Sequence, residues 1–430
     1  MKKSAILLLA SVCSSVLASP APKNIIMVVG DGMGPEYTTA YRMYMDDKNT
    51  PELELTIFDQ LLVGMASTHP DLSNGYVTDS AAGATSLATG VKTYNGAIGM
   101  DINKQPVQTV LEYAKQQGRK TGVAVTSQIN HATPAGFSAH NVSRQNYDEI
   151  ANSYFDQRIN GQFTLDVMLG GGWTYFIRKD RNLVEEFKQA GYEYIDTMAA
   201  LANVSTGKPL LGLFDDTGLA WALDAPNKQR LPALVNTAVK QLENDKGFFL
   251  LVEGSQIDWG GHSNDIAAAM GEMHDLGLTL QWLADYVEQH PDTLFVVTAD
   301  HSTGGMTIGA RGKYEWDPSF LHGLKSSPSN IASLLVDAKD RIAVANEQLG
   351  FELNDEEQSK LTAINSKDSK AYYKALKSIL DVRSHTGWTT SGHTGVDVQI
   401  FAKGPGSDLF RGHLDNTDIA KNVFKLLGKK

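Results

Sequence analysis

Five short apolar runs, at 25–29, 122–125, 248–252, 294–297 and 398–401, limit what this chain can fold into more than any other feature of it. They are continuous rather than alternating, so each reads as a strand covered on both faces. Segments at 107–117, 231–243 and 267–287 carry helical spacing between them. Strands buried on both sides need helices on both sides. The pattern therefore predicts an α/β fold, a three-layer sandwich with a mainly parallel central sheet between helices. In such sheets ligands collect beyond the carboxyl ends of the strands. Asp31, Glu253 and Asp300 stand close behind three of the runs, and His131 and Thr133 follow the run at 122–125. Three carboxylates at equivalent strand ends are what a shared metal site needs.

The remaining stretches differ in character. The segment at about 311–384 is richer in Lys, Ser, Asn and Glu, with periodic stretches at 331–349, 355–364 and 369–379. Asn354-Asp355-Glu356-Glu357 reads as a helix start, and the whole segment as an inserted helical subdomain. The region 154–230 shows little pattern, and there are no repeats, heptads or low-complexity tracts.

The first eighteen residues have a different purpose. Met1-Lys2-Lys3, an apolar stretch at 5–10 and Val16-Leu17-Ala18 before Ser19-Pro20 describe a signal peptide, 1–18, cut after Ala18. The expectation is an exported chain, periplasmic or secreted, with residues 19–430 forming the mature domain. The single cysteine, Cys13, lies within the signal, and Val12 before it argues against lipidation. The mature chain then has no disulfide to rely on and needs a sizeable core and bound metal. A net charge of -11 repels nucleic acid and anionic lipid, and no later stretch reads as a membrane span. An anionic substrate has to find positive charge supplied locally.

Six motifs carry chemistry. Gly30-Asp31-Gly32-Met33-Gly34 sets a carboxylate where backbone crowds in. Thr78-Asp79-Ser80-Ala81-Ala82 opens a small-residue stretch ending at Gly90, which puts Ser80 near a helix N-terminus, favourable for an anion. His131-Ala132-Thr133-Pro134 precedes His140 and Arg144, whose planar guanidinium suits two phosphate oxygens. Glu253, Asp258 and His262 occur within ten residues, broken by glycines. Asp with His suits zinc, whereas Glu with hydroxyl and water suits magnesium. Asp300-His301 precedes Gly304-Gly305, and Ser391-Gly392-His393 closes the set, with His385-Thr386-Gly387 as a decoy copy. Singly, each motif is compatible with a turn, a cap or a surface charge. Together they place hard oxygens, imidazoles, an anion-oriented serine and an arginine on loops behind strands.

Taken together, the six stretches resemble the alkaline phosphatase family over nearly the whole mature chain. The Thr-Asp-Ser-Ala-Ala stretch, Arg144 eleven residues after Thr133, and the Glu-x4-Asp-x3-His spacing carry the resemblance. It implies hydrolysis of phosphate monoesters to an alcohol and inorganic phosphate, with broad substrate tolerance. Ser80 is then the nucleophile, forming a phosphoserine intermediate, and Arg144 the phosphate clamp. The resemblance further implies two zinc ions and one magnesium ion per chain. One zinc would take Asp258, His262 and His393, and the other Asp31, Asp300 and His301. Magnesium would take Asp31, Thr133 and Glu253. A mixed sheet between helical layers, a homodimer and a crown-type insertion at about 311–384 are also implied. The best-known bacterial pattern has Asp where this chain has His131 and Lys where it has Trp259, so these two residues bear on phosphate binding and on the magnesium shell. Two rivals fit less well. A sulfatase needs a Pro and an Arg that Ser80-Ala81-Ala82-Gly83-Ala84 lacks. A non-catalytic phosphate- or metal-binding module has no use for Ser80 beside a metal pair.

Overall fold

The computed structural model describes residues 21–365 and 367–429, so the signal peptide expected at 1–18 lies outside the described residues. A ten-stranded sheet runs through the molecule. From one edge its strands are Gly412–Asp415, Leu62–Ser67, Val398–Lys403, Thr293–Thr298, Asn24–Gly30, Phe248–Gly254, Lys120–Gln128, Val167–Gly171, Leu210–Leu213 and Glu193–Ile195. The pairings are parallel except at Val398–Lys403, which runs antiparallel to both neighbours and carries an irregularity between Ile400 and Phe401. All five apolar runs are strands of this sheet, and the mainly parallel α/β sandwich is the observed fold. The central strands are wholly buried because β-branched and aromatic side chains cover both of their faces: Ile25, Val28, Phe249, Leu251, Val296 and Val297 are all 0 % exposed.

Register fixes where the site falls. Val29 stands opposite Glu253 on one side and Thr298 on the other, and Val125 stands opposite Glu253. Asp31, Glu253, Asp300 and the turn leading to His131 are thereby delivered to one edge, at the carboxyl ends of adjacent parallel strands.

Helices cover the sheet. Val110–Gln116, Arg230–Leu242 and Ile266–Gln289 lie where helical spacing predicts them. Between 311 and 384 stand Pro328–Val336, Arg341–Leu349, Asp355–Thr362 and Ser369–Ser384. The stretch 331–349, read as one periodic unit, is two helices. It breaks because Asp340 caps the second, its Oδ1 accepting from Ala343 N at 3.0 Å. Asn354 forms the expected capping box with Glu357. Among the described residues no helix is long and apolar enough to cross a membrane.

Candidate active site

The floor of the site is the strand-end carboxylates. Gly32 turns the chain at φ +71°, and a Cβ there would come within 2.9 Å of Thr303 Oγ1 and of the Asp258 Cα and Cβ, so only glycine lets these segments meet. Its N–H donates to Asp300 Oδ1 at 3.1 Å, and His301 N donates to the same oxygen at 3.0 Å. The remaining Asp300 oxygen and the Asp31 Oδ1 lie 3.4 and 3.5 Å from His301 Nε2.

Ser80 is the first residue of helix Ser80–Thr89, whose ten residues are all buried. Asp79 caps it, accepting from Ala82 N at 3.0 Å, so Ser80 itself is free of the capping duty. The helix is built of small residues for a reason: a Cβ on Gly83 would stand 3.0 Å from Asp300 Cβ. That approach sets the Ser80 hydroxyl 3.2 Å from His301 Nε2. Asp79 has a second task that the motif did not reveal. Its Oδ2 accepts from Arg144 Nη1 at 3.1 Å, tying the guanidinium to the start of the Ser80 helix. The other arm of Arg144 lies 3.3 Å from His131 Nε2. Spacing in sequence gives no hint of this link, which spans 65 positions.

Asp258 and His262 share a face of helix Gln256–His262, with His262 Nε2 3.3 Å from Asp258 Oδ2. His393 arrives from the far end of the chain through a two-residue ribbon, in which Thr303 pairs with His393 and Ser302 with Thr394. Its Nε2 lies 3.1 Å from His262 Nε2, and its ring stacks on His301 at 3.6 Å. The Thr78 carbonyl 2.9 Å from His393 Nδ1 and the Ser391 carbonyl 2.6 Å from His262 Nδ1 accept the Nδ1–H of each ring, which in the neutral imidazole leaves the Nε2 lone pair to ligate. Trp259 packs against Gly218 and meets His131 edge to face at 6.1 Å. His140 and His385 stand apart: His140 lies between Glu112 and the Gly99 carbonyl, and His385 lies 3.0 Å from Glu315.

The carboxylates and imidazoles of the site shift one another's titration, and burial shifts most of them further. Burial, then repulsion from Asp300, Asp258 and Glu253, pushes Asp31 well above the usual carboxylate range. Burial raises Glu253 to about 7 and, with Asp258, Asp300 to about 6. Burial lowers His131 to about 3, reinforced by Arg144, and lowers His301 and His393 to about 4. Burial acts to raise Asp258, but hydrogen bonding and charge from His262, His301 and His393 outweigh it and hold it low. Both Asp31 oxygens, Asp300 Oδ2, Glu253 Oε1, Thr133 Oγ1 and His131 Nδ1 are buried with no hydrogen-bond partner. Orphaned acceptors are costly unless something positive satisfies them. Their number in one place, with neutral imidazoles beside them, fits divalent metals.

Three donor groups, each with ligand atoms within 4.8 Å of one another, share this floor: Asp258/His262/His393, Asp31/Asp258/His301 and Asp31/His131/Glu253. The first is the set expected for one zinc. The second keeps Asp31 and His301 of the other set and brings Asp258 in, with Asp300 beside His301. The third joins Asp31 and Glu253 as expected for magnesium, with His131, which the sequence linked only to phosphate and to the shell, among the donors.

Donors arranged around a helix-start serine and an arginine fork define a hydrolase that works on a phosphoryl group with metal assistance. Comparison with known proteins agrees. Residues 22–429 match the family model for alkaline phosphatase. The chain is 47% identical over 411 residues to alkaline phosphatase 3 of Bacillus subtilis, covering 94% of this chain and 89% of that one. It is 50% identical to a cold-active alkaline phosphatase from a psychrophilic Shewanella sp., with a TM-score of 0.90 over 94% of this chain and 100% of that one. A variant of alkaline phosphatase from TAB5, solved with magnesium in its M3 site, is 27% identical with a TM-score of 0.70, covering 95% and 99% of the two chains. The chain belongs to the alkaline phosphatase family, whose members are metal-dependent. The enzyme is a phosphomonoesterase.

Proposed function

We propose that the enzyme cleaves phosphate monoesters by way of a phosphoserine on Ser80, with two zinc ions and one magnesium ion in the three donor groups. The observation that carries this reading is the Ser80 hydroxyl, 3.2 Å from His301 Nε2 at the start of a buried helix and one residue from the carboxylate that holds Arg144. Asp258, His262 and His393 would hold one zinc, and Asp31, Asp300 and His301 the other. Asp31, Thr133 and Glu253 would hold magnesium, with His131 beside them. When bound, these ions supply Lewis-acid charge at the attacking and leaving oxygens.

The chain's own residues do the rest. Ser80 Oγ, its proton released to bulk water, attacks phosphorus in line. The Oγ–P bond forms as the ester P–O bond breaks, and the leaving oxygen takes a proton from bulk water to become the alcohol. Arg144 spreads its fork over the equatorial oxygens, where phosphoryl transfer concentrates charge. Asp79 keeps that fork aimed, so its orientation is set before substrate arrives. The helix start beneath Ser80 adds partial positive charge. Water then attacks the phosphoserine, the Oγ–P bond breaks, and inorganic phosphate leaves. The side chains named grip only the phosphoryl group, which supports a broad range of alcohols and aryl leaving groups. Trp259 and His131 border the bound phosphate in this reading.

Export to the periplasm or beyond, assembly as a homodimer, and an inserted helical unit at about 311–384 complete the proposal. The test is Ser80→Ala. Turnover of a chromogenic phosphate monoester is expected to be lost while metal content stays near normal, and acid quenching is expected to trap no protein-bound phosphate. Phosphate trapped on the Ala variant would remove Ser80 from the role.

A further inference from the structure

The segment 311–384 reaches the site from behind. Its longest helix, Ser369–Ser384, packs mainly on Pro328–Val336, touches Ile266–Gln289 and hydrogen-bonds the turn that follows His262. Tyr373 Oη donates to Asp265 Oδ2 at 2.9 Å. Asp265 is buried and caps Ile266–Gln289 through Ala267 N and Ala268 N at 3.1 and 3.0 Å. Lys377 donates to the Ser263 carbonyl, its ammonium 4.4 Å from the centre of the Tyr373 ring. Between these anchors Asn264 sits at φ +50°, and its side-chain N–H donates to the Gly261 and Thr390 carbonyls at 3.1 and 2.8 Å. Thr390 leads straight to Ser391, whose carbonyl meets His262, and on to His393. The same helix also holds the ribbon. Asp381 accepts from Trp388 Nε1 at 3.1 Å, and the Trp388 ring fills the space a Cβ on Gly304 would take, next to Thr303.

This matters because the two ligand groups are not held alike. Asp31, Asp300 and His301 are 0 % exposed and rooted at the sheet edge. The His262 side chain is 41 % exposed, on a helix of seven residues. Its helix packs on Ile266–Gln289 and on the short ribbon strand Ser302–Thr303 rather than on the ten-stranded sheet, so the place of His262 also depends on what anchors the turn at 263–265.

We propose that Tyr373 and Lys377 are positioning residues for the Asp258/His262/His393 group, and that helix Ser369–Ser384 clamps this outermost metal site. The inference rests on the reading of those three side chains as zinc ligands. Hydrogen-bonded partners behind metal ligands commonly govern affinity by ten- to a hundredfold. These two act one step further back, so a loss of about tenfold is expected for either Tyr373→Phe or Lys377→Met.

The experiment is zinc release from the loaded enzyme into excess chelator, followed with a zinc indicator, together with melting of the metal-free protein. His393→Ala identifies the outer-site phase: it is expected to abolish that phase alone. Tyr373→Phe and Lys377→Met are expected to speed the same phase about tenfold, leave the inner phase alone, and leave metal-free melting within a degree or two of the parent. Activity lost at limiting zinc is expected to return when zinc is added. If His393→Ala leaves both phases intact, the ligand reading fails. If His393→Ala behaves as expected but Tyr373→Phe and Lys377→Met release zinc at the parent rate, or lower metal-free melting without touching the outer phase, the clamp is refuted and the ligand reading stands.

Discussion

Trp259 shows what a single side chain decides in this site. Its ring lies against Gly218 and edges His131, whose Nε2 is 3.3 Å from Arg144. No charge comes from position 259, so in the proposed reading a bound phosphate depends on Arg144 and on the metals. A lysine there would add one cation. At ~4 Å and an effective dielectric of 20 such a pair is of order 4 kcal/mol before desolvation, and about 1 kcal/mol through a bridging water. Trp259→Lys is therefore expected to lower the competitive inhibition constant for inorganic phosphate by roughly fivefold to tenfold. Turnover at alkaline pH should slow, because product release becomes harder. An unchanged inhibition constant with intact metal content would place Trp259 away from the phosphate. Most of the donors at this scale are legible in the sequence because each follows an apolar run or a glycine-broken turn. Asp79 as the anchor of Arg144 is not, because its partner lies 65 positions away and an N-cap already accounts for an aspartate there. His131 as a donor beside Asp31 and Glu253 is likewise visible only once three strands are set in register.

At the scale of elements, legibility follows burial. The strands at the centre of the sheet are continuous apolar runs and stand out. Gly412–Asp415 is exposed or half-exposed and carries no apolar signal, while Leu62–Ser67 is apolar but mostly half-exposed and broken by Gly64, so neither reads as a buried strand. Val167–Gly171 and Leu210–Leu213 are buried but short and rich in glycine, which hides them in a region without periodicity. Helix Ser80–Thr89 is the element on which the proposed chemistry depends most. Gly83 lets it approach Asp300, so any larger side chain there has to displace the helix or the strand end. Gly83→Leu is expected to cost about 1–3 kcal/mol in stability by overpacking. Displacing Ser80 by an ångström is expected to cost roughly a hundredfold in kcat. Melting measured beside kcat separates the two effects: a variant with full turnover would show that the close approach is not what aims Ser80.

Across the whole molecule, the pH response follows from the mutual repulsion of the buried site carboxylates. In metal-free protein Glu253 at about 7, Asp300 at about 6 and the raised Asp31 bind protons more tightly than in the unfolded chain. Their contribution is full below about pH 4 and is lost as pH rises through the folded values. His131 at about 3 and His301 and His393 at about 4 act in the opposite sense, since unfolded imidazole titrates at 6.5. Their contribution is full above 6.5 and is lost as pH falls towards 4. The two sets oppose one another in between. Above 6.5 the site carboxylates continue to change, joined by His262, which its hydrogen bond to Asp258 raises, and outside the site by Asp275 and Asp381, which burial raises to about 7. Chelated protein is thus expected to melt several degrees lower at pH 8.5 than at pH 6.5, and protein restored with zinc and magnesium is expected to show a clearly smaller drop, the part left to Asp275 and Asp381. Activity is expected to leave and return with the metals. A chelated protein, proved metal-free, that keeps full activity or melts higher at pH 8.5 would contradict this account. The ribbon that pairs Thr303 with His393 has one more consequence, which concerns the order in which the chain is made. Asp31 emerges from the ribosome near the start and His393 close to the end, followed by the antiparallel strand and the last strand of the sheet. With His393 a zinc ligand as proposed, a chain released or clipped before position 393 lacks one of the three donors of its group. Metal retention then doubles as a record of completed synthesis, and unfinished copies betray themselves by failing to keep that ion.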